Sequence, residues 1–331
     1  MFPDAPRPFL DLSTGINPVP YKLGRLPEDA VTRLPDTEDE ARLCEVAAQA
    51  YGVAHPAMVV ASPGTQMLIS LLPALLARLP GRVAILSPTY NEHAATWVNA
   101  GHDVHETEDL NALTSADIAV VCNPNNPDGR RIDASMLLGL AGRLEARGGL
   151  LVVDESFADL EPGGISLAGA LPHPALLILR SFGKSYGLAG LRLGFALTTP
   201  SLATHLRVAF GPWAISGPAL AAGLQALPDQ AWRTRAQARL DGDIVRLDAI
   251  AMSQGLSLIG GTRLFRLYET QHAQAVFNHL AAAGVLVRRF DLHPTRLRFG
   301  LPGKKGDWAR LVAAMSRAHN PTTAAIEQET P

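Results

Sequence analysis

Cysteine and lysine are both scarce in this chain. Its two cysteines, Cys44 and Cys122, are too few and too far apart in sequence for a disulfide framework, which points to a reducing cytoplasm. Cys122 reads as a small buried filler. Long apolar runs are missing too: the longest, Met67–Ala77, contains Pro73 and falls well short of the roughly 18 residues that a spanning helix requires. The opening M-F-P-D-A-P-R-P has an acid and three prolines where a signal peptide has a basic and then an apolar region. Neither sign of charge dominates, and a net charge of −2 excludes the basic footprint of a nucleic-acid binder. The ten histidines form no metal pattern, and no metal is expected. His102 and His105 are placed on a strand between helices, without acidic partners at ligand spacing.

What remains is an ordinary globular composition, 47% hydrophobic over 331 residues, enough for a large core and two domains. Of only four lysines, Lys22, Lys304 and Lys305 lie among Gly and Pro and read as surface charges. Lys184 does not. It sits in R-S-F-G-K-S-Y-G-L-A-G-L-R-L-G-F, Arg180–Phe195, after the apolar run Leu176–Leu179, and its sequence neighbours Phe182, Tyr186 and Leu188 would strip water from an ammonium. Desolvation favours the nucleophilic amine. Eight residues on, Arg192 adds planar donors suited to a phosphate.

Between Met58 and Thr199 short apolar runs alternate with amphipathic stretches, the pattern of a mostly parallel sheet wound with helices. Strands are expected at Met58–Ala61, Val83–Leu86, Ile118–Cys122, Leu150–Val153, Leu176–Leu179 and Leu193–Leu197, and helices at Asp36–Tyr51, Gln66–Arg78, Glu92–Ala100 and Ala134–Arg147. Ligands bind such sheets beyond the carboxyl ends of the strands, so the residues there carry the chemistry. S-P-G-T-Q, Ser62–Gln66, opens a helix; Gly64 permits close approach, Thr65 offers a hydroxyl, and the helix terminus favours an anion, though a plain N-cap fits as well. S-P-T-Y-N-E presents Tyr90, either a core aromatic or a face for a flat ring. N-P-N-N-P-D-G, Asn123–Gly129, is a strong turn. D-E-S-F, Asp154–Phe157, puts a carboxylate directly behind four aliphatic residues, where it needs a cationic partner or a backbone to cap.

Taken together, S-x-x-K with G-L-x-x-x-R-x-G, N-P-N-N-P-D-G and D-E-S-F resemble the class I/II pyridoxal-phosphate aminotransferase family over roughly residues 9–318. The resemblance implies fold type I: an α/β architecture whose large domain holds a mostly parallel seven-stranded sheet flanked by helices, with a smaller α/β domain behind it. The divisions expected are an N-terminal segment 1–30 over the active site, a large domain 31–215, a small domain 216–319 and a disordered tail 320–331. In the small domain, helices are expected at Ala219–Leu227, Ala231–Ser253, Gln271–Ala283 and Lys304–His319, and strands near Arg263–Leu267, Val285–Arg288 and Arg296–Phe299.

It further implies pyridoxal 5′-phosphate as the cofactor, joined to Lys184 as a Schiff base. Asp154 would pair with the pyridine nitrogen and Tyr90 would stack on the ring. Asn126 would donate to the phenolic oxygen, and Gly64, Thr65, Gln66, Ser181 and Arg192 would cradle the phosphate. Gly183 departs from the Ser, Thr or Ala usual before the lysine, so one phosphate hydroxyl is absent. Arg298 falls where family members hold the substrate carboxylate, and Arg288 where phosphate-bearing substrates are clamped.

S-T-G-I-N-P with Asn17, Phe157 in place of a tyrosine, and Leu34 in place of another resemble the threonine-phosphate decarboxylase branch, whose product serves cobalamin synthesis. The alternative is a histidinol-phosphate-type aminotransferase. A phosphorylated amino acid is therefore the expected partner, in a cytoplasmic homodimer that binds neither nucleic acid nor membrane.

Overall fold

The computed structural model describes residues 2–76 and 81–318. The expected tail 320–331 and the expected end of the helix at Arg78 lie outside them. The chain divides into two compact units: Pro20–Arg235 form one, and the described residues before Pro20 and from Ala236 onward form the other.

The larger unit holds strands β2 (Val59–Ser62), β3 (Arg82–Leu86), β4 (Asp103–Thr107), β5 (Ile118–Cys122), β6 (Leu150–Asp154), β7 (Leu176–Ser181) and β8 (Gly194–Leu197); β1 (Leu10–Asp11) belongs to the other unit. They form one sheet in the order β2-β8-β7-β6-β5-β3-β4. Its pairings from β7 to β4 are parallel, whereas β8 runs antiparallel to both its neighbours.

Successive strand residues face opposite sides, so each interior strand feeds two cores. Ala119, Val121, Leu151, Val153, Leu176 and Ile178 join helices Thr37–Tyr51, Ala134–Glu145 and Gly217–Ala226 on one side. Ile118, Val120, Val152, Leu177 and Leu179 meet Thr65–Leu76, Glu92–Asn99 and Pro200–Phe210 on the other. Burial on both faces is why these strands read as unbroken aliphatic runs.

The strands expected in this region are present within a residue or two. Strand β4, D-V-H-E-T, is an edge strand that lacks an apolar run because half its surface meets water. The unforeseen helix Pro200–Phe210 starts where the Thr199 hydroxyl accepts from the Leu202 amide and Pro200 takes the first position.

The second unit carries β9 (Ser257–Thr262), β10 (Phe265–Glu269), β11 (Val285–Leu286), β12 (Arg288–Arg289) and β13 (Arg296–Gly300), with helices Ala273–Ala282 and Lys305–Ala318. A four-stranded antiparallel sheet runs β12-β13-β10-β9. Apart from it, β1 pairs with β11 in parallel.

The described residues before Pro20 belong to this unit, and the other division lies between Arg235 and Ala236, inside helix Gln230–Ser253. Helix Gly217–Ala226 stays with the larger unit because Gly223 lets Leu43 approach so closely that a Cβ there would meet Leu43 Cδ1 at 2.6 Å.

Candidate active site

Because β2, β3, β5, β6 and β7 share one direction, their carboxyl ends open on one edge of the large sheet. The reversed β8 begins at that same edge, which brings Arg192, two residues ahead of it, beside the turn after β2.

That turn is built around two glycines. Gly64 has φ +83°, and a Cβ on it would lie 2.6 Å from Arg192 Nη2. Gly194 is pressed against the same turn: a Cβ there would lie 2.6 Å from the Thr65 amide nitrogen and 2.9 Å from the Gly64 carbonyl carbon. The Thr65 hydroxyl points to the Arg180 carbonyl at 3.5 Å. Ser181 ends β7 and precedes the single helical turn Phe182–Ser185 that carries Lys184. Gly64, Thr65, Ser181 and Arg192 thus gather at a helix N-terminus, where amide hydrogens and a guanidinium favour an anion. Gln66 faces a different partner: its Oε1 accepts from the Tyr90 hydroxyl at 3.1 Å, and its Nε2 donates to Glu92 at 3.3 Å.

Lys184 owes its surroundings to residues distant in sequence. Phe182 and Tyr186 turn away into the core, stacked at 4.5 Å, with Tyr186 stacked in turn on Trp232 at 5.2 Å. The aromatic face beneath the Lys184 ammonium belongs instead to Phe157, 4.2 Å from Nζ to the ring centroid. The aromatic neighbour of Lys184 is therefore supplied by the turn after β6 and not by Phe182 or Tyr186.

Asp154 is 4% exposed at the end of β6, and its Oδ1 accepts from the Ser156 amide at 2.9 Å. Its Oδ2 lies 3.1 Å from His93 Nε2. Burial opposes ionisation of Asp154, but the His93 hydrogen bond and the Lys184 charge outweigh it, so the carboxyl stays well below the usual carboxylate range. Burial likewise opposes a charge on His93; the adjacent Cys122 and the bond to Asp154 overcome it and push the imidazole up to about 10.

His93, Cys122 and Asp154 form a buried cluster whose ligand atoms lie within 4.8 Å of one another. Cys122 is the small buried residue expected, and His93 is packed beside it with a polar partner in Asp154. Tyr90, just before the helix Glu92–Asn99, and His93 in its first turn meet ring to ring, edge-on, at 6.1 Å. Cys122 stands opposite Asp154 in the β5–β6 register.

In the loop after β5, two of the three asparagines are structural. Asn123 exchanges hydrogen bonds with Ile132 at 2.9 and 3.0 Å, and Asn125 donates to Pro88 and Asp128 while accepting from Thr89. Asn126, less buried than either, is the remaining member.

The other expected site residues lie in the second unit. Arg298, 8% exposed on β13, donates to the Ser13 carbonyl at 2.7 Å and lies over the Phe265 ring. Arg288 is its register partner on β12. Burial, and then the Arg288 charge, bring the Arg298 guanidinium down to about 10. An anion shared by the two would relieve that repulsion. Asn17, 2% exposed, accepts from Arg239 at 2.6 Å and from the Val19 amide at 3.1 Å, so its carbonyl oxygen holds the turn it sits in.

The model of the aminotransferase class I and II family matches residues 19–315. The chain belongs to that family. Its relatives include a threonine-phosphate decarboxylase of Pseudomonas aeruginosa, 42% identical over 93% of this chain and 91% of that protein. Another, from a Sinorhizobium species, is 45% identical over 94% of this chain and 93% of the relative. Among solved structures, histidinol-phosphate aminotransferase from Sinorhizobium meliloti in complex with pyridoxal-5′-phosphate superposes with a TM-score of 0.84 at 20% identity, covering 94% of this chain and 91% of the other. The fold of this family member is thus the α/β arrangement expected, a large, mostly parallel sheet with a smaller one.

Proposed function

We propose that this protein is a pyridoxal-phosphate-dependent decarboxylase of L-threonine O-3-phosphate, releasing carbon dioxide and 1-amino-2-propanol phosphate, the precursor that the family resemblance links to cobalamin. The observation that carries the reading is the 42–45% identity, over more than nine-tenths of the chain, to two proteins named threonine-phosphate decarboxylase.

The residues present fit the cofactor. A buried, ionised Asp154 suits a protonated pyridine nitrogen. Gly64 and Gly194 let Arg192 and β8 close on the turn that carries the Thr65 amide, which sets a guanidinium and an amide donor together as a phosphate requires. When bound, pyridoxal phosphate supplies an electron sink for the pair left by a departing carboxyl group.

The chain's own residues do the rest. Lys184 would hold the group covalently, and its freed side chain would be able to carry a proton at Nζ. Asp154, held by His93 and the Ser156 amide, would pair with the pyridine nitrogen and favour its charged form. Tyr90, Asn126 and Gln66 orient the ring and its substituents, and Ser181, Thr65, Gly64 and Arg192 anchor the phosphate. Arg298 and Arg288 are the donors we assign to the substrate's carboxylate and phosphate, with Asn17 in contact with the substrate beside them. Positioning of this kind decides which bond to the α-carbon breaks.

Homodimeric assembly and a cytoplasmic setting belong to the same reading. Two free, buried cysteines favour the reducing setting. No helix among the described residues is long and apolar enough to cross a membrane.

The test supplies O-phosphothreonine without an amino acceptor and measures carbon dioxide. Release supports the proposal. Glutamate formation from histidinol phosphate with 2-oxoglutarate, without gas from O-phosphothreonine, would replace it with the aminotransferase. Lys184→Ala is expected to lose the yellow colour and all turnover, and an active alanine variant sinks the cofactor assignment.

A further inference from the structure

The contact between Lys184 and Phe157 is held from both sides. Phe157 is 6% exposed, three residues beyond Asp154, in a turn fixed by Ser156 N–H to Asp154, by Ala158 N–H to the Glu155 carbonyl, and by Glu155 itself, which accepts from the Ser166 hydroxyl at 2.6 Å, the Leu167 amide at 2.7 Å and Arg180 at 2.5 Å. Lys184 rides on a one-turn helix whose Phe182 and Tyr186 are locked in the aromatic stack. The backbone on both sides of the contact is thus fixed, and the ammonium nitrogen lies 4.2 Å from the ring centroid.

An aromatic face attracts an ammonium and does nothing comparable for a neutral amine. At the partly buried Lys184 the ring favours the charged form by about tenfold, and the Asp154 carboxylate acts in the same direction, so the two effects are separated by changing the ring alone. This bears directly on which chemistry the lysine can do. Removing an α-hydrogen requires a neutral amine to accept it. Decarboxylation requires no base: carbon dioxide leaves with the carboxyl carbon, and the electron pair of the broken C–C bond stays with the substrate carbon. A new C–H bond then forms as an N–H bond of the Lys184 ammonium breaks.

We propose that Phe157 is a positioning residue whose ring face keeps the unbonded Lys184 charged, so that the lysine serves as proton donor and not as base, and decarboxylation prevails over α-hydrogen removal. The consequence for the reaction rests on the decarboxylase reading above; the ring–ammonium contact does not.

Two variants separate these parts. Phe157→Leu removes the aromatic face at similar volume, and Phe157→Tyr keeps the face and acts as the rescue. In cofactor-free protein, trace acetylation by acetic anhydride across a pH series, read on the Lys184 peptide by mass spectrometry, reports the amine directly. The leucine variant is expected to reach half-reactivity about one pH unit below the parent, the equivalent of tenfold, while the tyrosine variant tracks the parent. Coincident profiles for parent and leucine variant overturn the contact.

In cofactor-loaded enzyme with O-phosphothreonine in heavy water, α-hydrogen exchange relative to carbon dioxide release is expected to rise about tenfold in the leucine variant and not in the tyrosine variant. A shifted acetylation profile with an unshifted ratio overturns the donor role. Should the leucine variant lack the parent's circular dichroism, Phe157→Met takes its place under the same criteria. Failure of the parent to release carbon dioxide overturns the decarboxylase reading and with it the donor role, whereas the acetylation profiles, which use neither substrate nor cofactor, judge the contact separately.

Discussion

At the scale of single residues, the pair His93 and Asp154 sets a pH dependence whose sign can be worked out. An imidazole raised from 6.5 to about 10 stabilises the fold fully below pH 6.5 and loses that contribution as pH climbs through about 10. The Asp154 carboxyl, depressed by its partners, contributes above its unfolded value near 4 and loses the contribution only as pH falls beneath it. Cofactor-free protein is therefore expected to lose thermal stability between pH 6.5 and 10, and His93→Gln should flatten that decline; parallel curves for the two proteins would refute the ion pair. Gly183 bears on the expectation that one phosphate hydroxyl is missing. A Cβ there would lie 2.8 Å from Ala189 Cα, so the glycine allows the turn from Gly183 to Ala189 to close. Gly183→Ser should cost about 1–3 kcal/mol in urea unfolding, because the obstacle is backbone and cannot rotate away. Lys184, Asp154 and Arg192 were legible in the sequence because strand ends and sparse lysines mark them. His93 was not, since its partner lies 61 positions away. For the same reason Phe157 could be recognised as diagnostic but not as the neighbour of Lys184.

At the scale of elements, the turn after β6 depends on an ion cluster rather than on regular structure. Arg180, 5% exposed on β7, donates to Glu155 at 2.5 Å and to Asp159, and lies 4.5 Å from the Tyr51 ring. Burial raises the Glu155 carboxyl above its ordinary value even with Arg180 beside it, the sign of a group that depends on its partner. Arg180→Leu would leave two buried carboxylates without their cation, at a cost of about 3–5 kcal/mol. Chemical denaturation measures it, and a loss under about 1 kcal/mol would mean that the cluster is solvated like a surface pair. Interior strands could be read from sequence because both of their faces are apolar. The half-exposed β4 was anticipated only as a strand carrying His105, and the glycine-bearing β9 was not, since pairing with a neighbour and not its own pattern makes it a strand.

At the scale of the whole molecule, the two ends of the chain close on one another within the second unit. Leu12 is buried, its amide donates to the Leu286 carbonyl at 2.7 Å, and its own carbonyl accepts from Gly300 at 2.7 Å. Arg310, on the C-terminal helix, donates to the carbonyls of Pro8 at 2.7 Å and Pro6 at 2.9 Å. Sequence patterning could not show this closure, because a segment rich in proline carries no periodicity and its backbone bonds are invisible until the partner is placed. Removing residues 2–12 would strip β11 of its parallel neighbour, take the Pro8 acceptor from Arg310 Nη1, leave Nη2 with the Ala283 carbonyl, and open the space that Leu12 fills. Loss of the buried leucine alone costs about 2–5 kcal/mol. The truncated protein is expected to unfold in two steps, the earlier one reported by Trp308 in the second unit and the later one by Trp97 and Trp232 in the first, whereas the full chain keeps the steps closer together. Single-tryptophan variants followed through a urea titration distinguish them, and an unmoved Trp308 transition would show that the first residues contribute nothing to the unit they are built into.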